Sequence, residues 1–224
     1  MKRTALITGG TGGLGRAVVD AFVADGWRVV ALSRGGGELT GAEVVSADLT
    51  DPQAVARVVG AAASHAGAEL RAVVNLVGGF AAGQPVAETP VADFEAQFTL
   101  NLRPAYLVTQ AALPALVAAG GGAVVCVASR SALHPFAGAA GYCAAKAAVI
   151  TFAQVVAREH AADGVRCNAV LPSMIDTPAN RASMPPDRHA SLTPPAEIAG
   201  VIRFLCSDES TPTTGAAIPV YGGP

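Results

Sequence analysis

The residues with the clearest chemical potential are a tyrosine and a lysine four positions apart, Tyr142 and Lys146. On a helix, residues at this spacing share one face. A free tyrosine has a pKa of about 10 and is a poor acid–base catalyst at neutral pH, but a nearby ammonium group favours the phenolate and lowers that pKa. The pair therefore predicts a proton donor or acceptor whose pKa is tuned by the lysine.

A serine lies upstream of this pair, at the end of an apolar run that spans 123–128. Such a run predicts a buried strand, and Ser129 would sit at the strand edge where ligands bind in parallel sheets. A Y-x-x-x-K pair alone is usually an ordinary helix surface. The order of a glycine-rich turn, a strand-ending serine and then the pair is what indicates a catalytic site.

The glycine-rich segment Thr8–Gly15 follows the first apolar run and opens a helical pattern. Glycines permit a tight turn and let a phosphate approach backbone N–H groups at the positive end of a helix. A lone segment of this kind is often a structural turn, but its strand–loop–helix context favours dinucleotide binding. The cofactor contacts predicted in this segment are Gly9, Thr11, Gly13, Leu14 and Gly15.

The end of the second predicted strand indicates which dinucleotide would bind. An acidic residue here would bind the adenosine ribose, whereas Ser33 is followed by Arg34. A guanidinium suits a 2′-phosphate by its charge and its donor geometry, so NADP(H) is favoured over NAD(H). The alternative for Arg34 is an exposed turn residue. After the third strand, Asp48 and Leu49 are predicted beside the adenine, while Asp51 is explained as a helix N-cap.

Short apolar runs alternate with helical patterns along the whole chain. This alternation predicts an α/β fold, a Rossmann-like doubly wound parallel sheet of seven strands with helices on both faces. No linker-like shift in composition is present, so residues 1–224 are predicted to form one domain. The predicted strands are 4–8, 28–33, 43–47, 72–77, 123–128, 166–171 and 216–221, and the longest helices are 90–118 and 141–162.

The proline-rich stretch at about 173–195 departs from this rhythm. Six of the chain's 15 prolines lie between Pro172 and Pro195, which disfavours any regular element there. A long loop after a strand is often a functional lid, so we predict a substrate lid; the alternative is a solvated surface excursion.

Composition excludes several classes of protein. A formal net charge of −2 disfavours a nucleic-acid partner, and 51% apolar residues exclude general disorder. The four cysteines lack metal or disulfide spacing and predict buried free thiols, and the histidines are scattered, so no metal site is expected.

The uncharged stretch 104–129 is long enough to cross a membrane, but Pro114 and Gly120–Gly122 divide it. No membrane association is expected, and the predicted location is the cytoplasm.

Taken together, these motifs resemble the classical short-chain dehydrogenase/reductase family along nearly the whole chain. The matches are TGGTGGLG at 8–15, DLTD at 48–51, Asn101, a serine thirteen residues before the tyrosine, YCAAK at 142–146 and RCNAVLP at 166–172. The resemblance implies a catalytic tetrad of Asn101, Ser129, Tyr142 and Lys146. Tyr142 would donate the proton in carbonyl reduction, Ser129 would bind the substrate oxygen, Lys146 would hold the nicotinamide ribose, and Asn101 would position a water.

The resemblance also implies cofactor contacts outside the glycine-rich segment. The family's NNAG after the fourth strand is Asn75-Leu76-Val77-Gly78 here, and its PG after the sixth strand is Pro172-Ser173. None of these differences touches the tetrad. The additional cofactor contacts implied are Asn75, Gly78, Pro172, Ile175 and Thr177, together with Tyr142 and Lys146.

Two alternatives to an NADP(H)-dependent carbonyl/alcohol oxidoreductase stay open. The stretches 77–83, 141–149 and 171–185 resemble dihydropteridine reductases, which typically lack the catalytic serine and use NADH, whereas this chain has Ser129 and Arg34. The second alternative is a non-catalytic dinucleotide-binding sensor on the same fold. The family resemblance implies a small-molecule substrate and a homodimer or homotetramer packed through the helices 90–118 and 141–162.

Overall fold

The sheet of this protein has seven strands, and every pairing between them is parallel. A computed structural model describes residues 2–222, so Met1, Gly223 and Pro224 of the predicted domain lie outside the described residues. The sheet order is β3-β2-β1-β4-β5-β6-β7. Its strands are β1 (Lys2–Thr8), β2 (Arg28–Ser33), β3 (Ala42–Ser46), β4 (Ala68–Asn75), β5 (Gly122–Val127), β6 (Val165–Pro172) and β7 (Ala217–Val220).

Helices cover both faces of this sheet and bury a separate apolar core on each. One core joins the sheet to Val55, Val108 and Val149, and the other joins it to Val18 and Ile202. This arrangement confirms the predicted doubly wound fold. The helices are α1 (Gly13–Ala24), α2 (Pro52–Ala63), α3 (Val91–Asn101), α4 (Arg103–Ala118), α5 (Ala140–Glu159), α6 (Pro178–Ala182) and α7 (Pro195–Cys206).

Proline explains the main differences between the predicted and observed helices. The single helix predicted over 90–118 is wrong, because the helix is interrupted at Leu102 and α4 restarts with Pro104 in its first turn. Proline has no N–H to donate but fits the first helical positions. The same property lets Pro178 begin α6 and Pro195 begin α7, which the sequence pattern did not predict. Pro114, expected to divide its segment, lies inside α4.

The segment predicted as a lid therefore contains regular structure. It holds α6 and a six-residue 3-10 helix, Pro186–Ser191, so the expectation of no regular element there is wrong. Two smaller predictions are confirmed. The Asp51 side chain accepts a hydrogen bond from the Gln53 amide at the start of α2, and all four cysteines are buried and free.

One helix within residues 2–222, α5, is long and apolar enough to cross a membrane. Half of its most apolar window is buried inside the protein, as in the core helix of a globular domain. The same helix carries Tyr142 and Lys146.

Candidate functional site

A cleft of about 930 Å³ opens at the carboxyl ends of β1, β2 and β4. In a doubly wound sheet this is the edge at which dinucleotides bind, where the strand order reverses. The cleft brings together ten of the predicted cofactor residues. They are Gly9, Thr11, Gly13, Leu14, Gly15, Ser33, Arg34, Asp48, Leu49 and Gly78.

The glycine-rich loop requires its glycines at two positions. Gly9 has φ of +69°, a conformation that side chains rarely adopt, and its amide donates to the Leu32 carbonyl at 2.7 Å. A Cβ on Gly15 would lie 2.1 Å from the Gly9 carbonyl oxygen. The loop leads into α1, which begins at Gly13 without a side-chain cap. Its first amide groups thus remain available to a phosphate.

The residues predicted beside the adenosine meet at one end of this cleft. The hydroxyls of Ser33 and Thr11 lie 2.7 Å apart. Arg34 is exposed, and Asp48 accepts hydrogen bonds from the Thr50 amide and hydroxyl at 2.9 and 2.7 Å. These bonds, and to a lesser degree the charge of Arg34, lower the pKa of Asp48. A carboxylate thus lies close enough to Arg34 to oppose its charge in part.

At the other end of the cleft, Asn101 and Lys146 converge beside Gly78. A Cβ on Gly78 would lie 2.7 Å from Asn101 Oδ1 and 3.0 Å from Lys146 Nζ. Asn101 is buried and held by two bonds, since its Oδ1 accepts from the Gly79 amide at 3.1 Å and its Nδ2 donates to the Gln97 carbonyl at 3.0 Å. Because Gly78 has no side chain, both polar groups can approach the backbone where it lines the cleft.

Lys146 is buried in α5, and its Nζ donates to the Val127 carbonyl at 2.9 Å. Desolvation lowers the pKa of this lysine to about 8. The side chain is therefore mostly charged at neutral pH, and an ammonium group is available next to the cleft.

Tyr142 differs from its predicted state. Burial raises the pKa of Tyr142, and a hydrogen bond with Ser129 opposes the rise. Lys146 Nζ lies 6.0 Å from the centre of the tyrosine ring and is not among the causes of the shift. The prediction of a lowered pKa for Tyr142 is therefore wrong. A raised pKa keeps the phenol protonated at neutral pH, which is the state required of a proton donor.

Ser129 lies two residues beyond the end of β5 and caps a short 3-10 helix, Arg130–Ala132. Its hydroxyl accepts from the Ser131 amide at 3.2 Å and lies the same distance from the Ser131 hydroxyl. These contacts fix the serine at the carboxyl edge of the sheet.

Asn75, predicted to contact the cofactor, lies beneath the cleft at the end of β4. It is buried, and its Nδ2 donates to the Thr109 hydroxyl at 2.9 Å. The next residues, Leu76 and Val77, line the cleft instead, and both of their amides donate to the Thr8 hydroxyl. Neither residue was predicted, because apolar side chains after a strand carry no chemical signal. Other lining residues outside the predicted set are Gly12, Leu32, Gly35, Ser46, Ala47, Thr50, Thr99, Leu100 and Pro104.

The three predicted contacts after β6 lie at the root of the predicted lid. Pro172 ends β6, and Ile175 pairs with Thr193 in an isolated parallel bridge. Thr177 caps α6, with its hydroxyl accepting from the Asn180 amide at 3.2 Å. The Thr177 methyl group would lie 2.6 Å from a Cβ at Gly13. The beginning of the lid thus packs directly against the glycine-rich loop.

This fold and site define a nicotinamide-dependent oxidoreductase, and comparison with known proteins identifies its family. The model of the family "short chain dehydrogenase" matches residues 3–187. The chain belongs to the short-chain dehydrogenase/reductase family. Its relatives act on alcohols and ketones, and it is an NAD(P)-dependent oxidoreductase.

Relatives and solved structures match over nearly the whole chain. The 3-oxoacyl-[acyl-carrier-protein] reductase MabA of Mycobacterium tuberculosis is 34% identical, covering 100% of this chain and 93% of MabA. L-xylulose reductase of Bos taurus is 34% identical, covering 99% of this chain and 96% of that protein. The structure titled "ElxO with NADP Bound" has a TM-score of 0.91 and 25% identity, covering 100% of this chain and 98% of ElxO.

Proposed function

We propose that this protein reduces a small-molecule carbonyl compound to a secondary alcohol with NADPH, and that Tyr142 is the proton donor. The observation that carries the proposal is the arrangement at the inner end of the cleft. A phenol whose raised pKa keeps it protonated, a buried ammonium at Lys146 and a fixed amide at Asn101 lie close to one another there. This set matches the roles that reduction of a carbonyl requires.

In this mechanism the bound nicotinamide supplies the hydride that adds to the carbonyl carbon. Ser129 donates a hydrogen bond to the carbonyl oxygen and fixes its position. The Tyr142 hydroxyl delivers the proton to that oxygen as its negative charge develops. The ammonium of Lys146 would hold the nicotinamide ribose beside the reacting groups. Asn101 holds the water that links this lysine to solvent.

The residues of the cleft fit a dinucleotide with a 2′-phosphate. A side chain at Gly15 would collide with the backbone of Gly9 and Gly10, so glycine there lets the loop pack against the start of α1. Thr11, Ser33 and Arg34 line the same cleft as this loop. Arg34 is exposed and lines the cleft, where its guanidinium can pair with a 2′-phosphate. The structural similarity to ElxO, which was solved with NADP bound, supports the same choice.

The proposal extends to assembly and location. Tyr106 on α4 and Val155 on α5 are exposed, although both are large apolar residues. Exposed apolar residues on adjacent helices fit an interface between copies of this chain, so we propose a homodimer or homotetramer packed through α4 and α5. A cytoplasmic location without nucleic-acid or membrane partners belongs to the same proposal.

A panel of carbonyl compounds tests the function. Purified protein is mixed with NADPH or NADH and with an aromatic diketone, a 3-oxoacyl thioester or quinonoid pterin, and the absorbance of the reduced nicotinamide is followed. The expected result is NADPH oxidation with at least one ketone. Turnover of the pterin alone, with NADH, would instead support a dihydropteridine reductase. Tight NADPH binding without turnover of any substrate would support a sensor.

A further inference from the structure

One exposed aromatic side chain lies directly beside Tyr142, and a second lies next to the first. The ring of Phe80 meets the Tyr142 ring edge-on, with centres 5.0 Å apart, and Phe136 lies 6.3 Å from Phe80. Phe80 is 64% exposed and Phe136 is 49% exposed. Large aromatic groups seldom remain this exposed next to one another unless a ligand or partner covers them. We call this pair, Phe80 and Phe136, the aromatic wall.

The aromatic wall belongs to two loops that are tied together. The Gly83 amide donates to the Gly138 carbonyl at 2.9 Å, joining the loop after β4 to the loop before α5. The first of these loops is also held at its root, where the Gly79 amide donates to Asn101. The wall is therefore built into the site, with a fixed relation to the catalytic groups.

These two loops carry no charged side chains along the stretches that flank the wall. Residues 77–87 and 131–145 contain no Asp, Glu, Lys or Arg, and their single histidine is His134. The His134 ring lies 6.5 Å from that of Tyr221, and the Arg130 guanidinium lies 5.2 Å from the same ring. A ligand group resting on the wall thus meets apolar surface next to the Tyr142 hydroxyl.

We propose that the aromatic wall binds an uncharged aryl or extended alkyl substituent on the carbonyl carbon, and so selects apolar ketones over small or charged ones. The inference rests on the proposed function, because it takes Tyr142 as the proton donor. It goes further by giving Phe80 and Phe136 the role of specificity residues. An aryl group on this wall gains both apolar burial and favourable ring–ring geometry, and its carbonyl oxygen then lies within reach of Tyr142.

A matched pair of substrates tests the wall. 1-Phenyl-1,2-propanedione differs from 2,3-butanedione by one phenyl group in place of a methyl. In wild-type protein we expect kcat/KM to favour the phenyl compound by roughly 10- to 100-fold. The double variant Phe80→Ala/Phe136→Ala should lose most of that preference and retain its rate with butanedione. Retention of the butanedione rate shows that Tyr142 is still in place.

Two control variants sharpen the result. Phe80→Leu/Phe136→Leu keeps apolar surface and should retain much of the preference. Phe204→Ala removes an exposed phenylalanine on the remote helix α7 and should leave it unchanged. An unchanged preference in the Ala/Ala double variant would overturn the inference. So would an equal loss with both substrates, because Phe80 would then merely support Tyr142.

A binding measurement separates this inference from the proposed function. Binding of 1-phenylethanol to the protein saturated with NADP⁺ is measured by calorimetry, whether or not turnover is observed. Binding that weakens roughly tenfold or more in the Ala/Ala variant supports the wall even if reduction fails. Equal binding by both proteins, or no binding by the wild type, would overturn the inference that the aromatic wall binds the substrate. Carbonyl reduction itself would still be tested by the panel of carbonyl compounds.

Discussion

The two ends of the sheet both hold a cavity with charged walls, yet they use charge in different ways. The cleft at the carboxyl end measures about 930 Å³, and a second cavity at the amino end measures about 370 Å³. The second cavity is lined by three arginines, Arg3, Arg71 and Arg166, more than line the cleft. The number of arginines alone would therefore predict that the amino end, and not the carboxyl end, binds the phosphate groups of a ligand.

The arginines of the amino end are paired within the protein. Arg166 donates to the carbonyls of Leu205, Thr213 and Ser207 at 2.9, 3.4 and 3.1 Å. Arg71 donates to the Ala119 carbonyl, and the Arg3 guanidinium lies 4.3 Å from the centre of the single tryptophan ring. Ala119 and Leu205 lie at the C-terminal ends of α4 and α7, where carbonyl groups lack helical partners.

The difference follows from the direction of the helices. In a parallel sheet with crossover helices, helix N-termini gather at the carboxyl ends of the strands and helix C-termini at the amino ends. Amides without partners therefore face ligands at one edge, while carbonyls without partners require cations at the other. In this fold, the hydrogen-bond donors left without partners, rather than the number of charged side chains, distinguish the ligand site from the structural cavity.

Among the changes to charged residues at the two edges, the largest effect is expected from removing the charge of Lys146 at the carboxyl edge. Lys146→Met should lower turnover by roughly 10²- to 10³-fold and weaken NADPH binding, because the same ammonium binds the cofactor and supports the reaction. Burial sets the pKa of Lys146 at about 8, so wild-type reduction should fall as pH rises through that value. The measurement is kcat/KM against pH for both proteins. A variant with wild-type rate and affinity would show Lys146 to be a structural residue.

Removing an arginine from the amino edge should lower the stability of the protein without changing its affinity for the cofactor. Arg166→Met leaves three carbonyls without their donor and should lower the free energy of unfolding by about 2–4 kcal/mol, with NADPH affinity retained. Urea unfolding and NADPH titration measure the two quantities. Arg57→Met, on the exposed side of α2, is the matched control and should change neither. Loss of NADPH affinity in a folded Arg166 variant would contradict the purely structural role of this arginine.

A smaller effect is expected from changing Arg34, the exposed arginine that lines the cleft. Wild-type protein should prefer NADPH over NADH by roughly 10- to 100-fold, since one charge-assisted hydrogen bond is worth about 1.5–3 kcal/mol. Arg34→Asp should abolish or reverse that preference, and added salt should reduce it because Arg34 is exposed. The measurement is KM for both cofactors. Equal use of NADH and NADPH by the wild type would show this assignment to be wrong.

The smallest effect concerns the segment between β6 and α7. If this segment closes over bound ligands, trypsin cleavage after the exposed Arg188 should slow by a few-fold when NADP⁺ and a product alcohol are present. Mass spectrometry of the fragments identifies the cut, and Arg188→Gln should remove it. Equal cleavage rates with and without ligands would favour the surface excursion over the lid.

The sequence predicts the sheet and the cofactor loop well because both depend on local patterns. Apolar runs identify the strands to within a few residues, and the glycines of Thr8–Gly15 are dictated by the turn they form. The interruption at Leu102 and the start of α7 were missed because proline can either break or begin a helix, and only tertiary packing decides. The state of Tyr142 depends on burial and on Ser129, which sequence spacing does not contain. The aromatic wall likewise joins residues far apart in the chain.

The central claim, hydride transfer to a carbonyl with Tyr142 as proton donor, is tested most directly by isotope labelling. NADPH carrying two deuterium atoms at C4 of the nicotinamide is incubated with 1-phenyl-1,2-propanedione and either wild-type protein or Tyr142→Phe. The account predicts one deuterium on the carbinol carbon of the product, a rate roughly 10²- to 10⁴-fold lower in the variant, and unchanged NADPH affinity. An alcohol without deuterium, or a Tyr142→Phe variant with the wild-type rate, would contradict it.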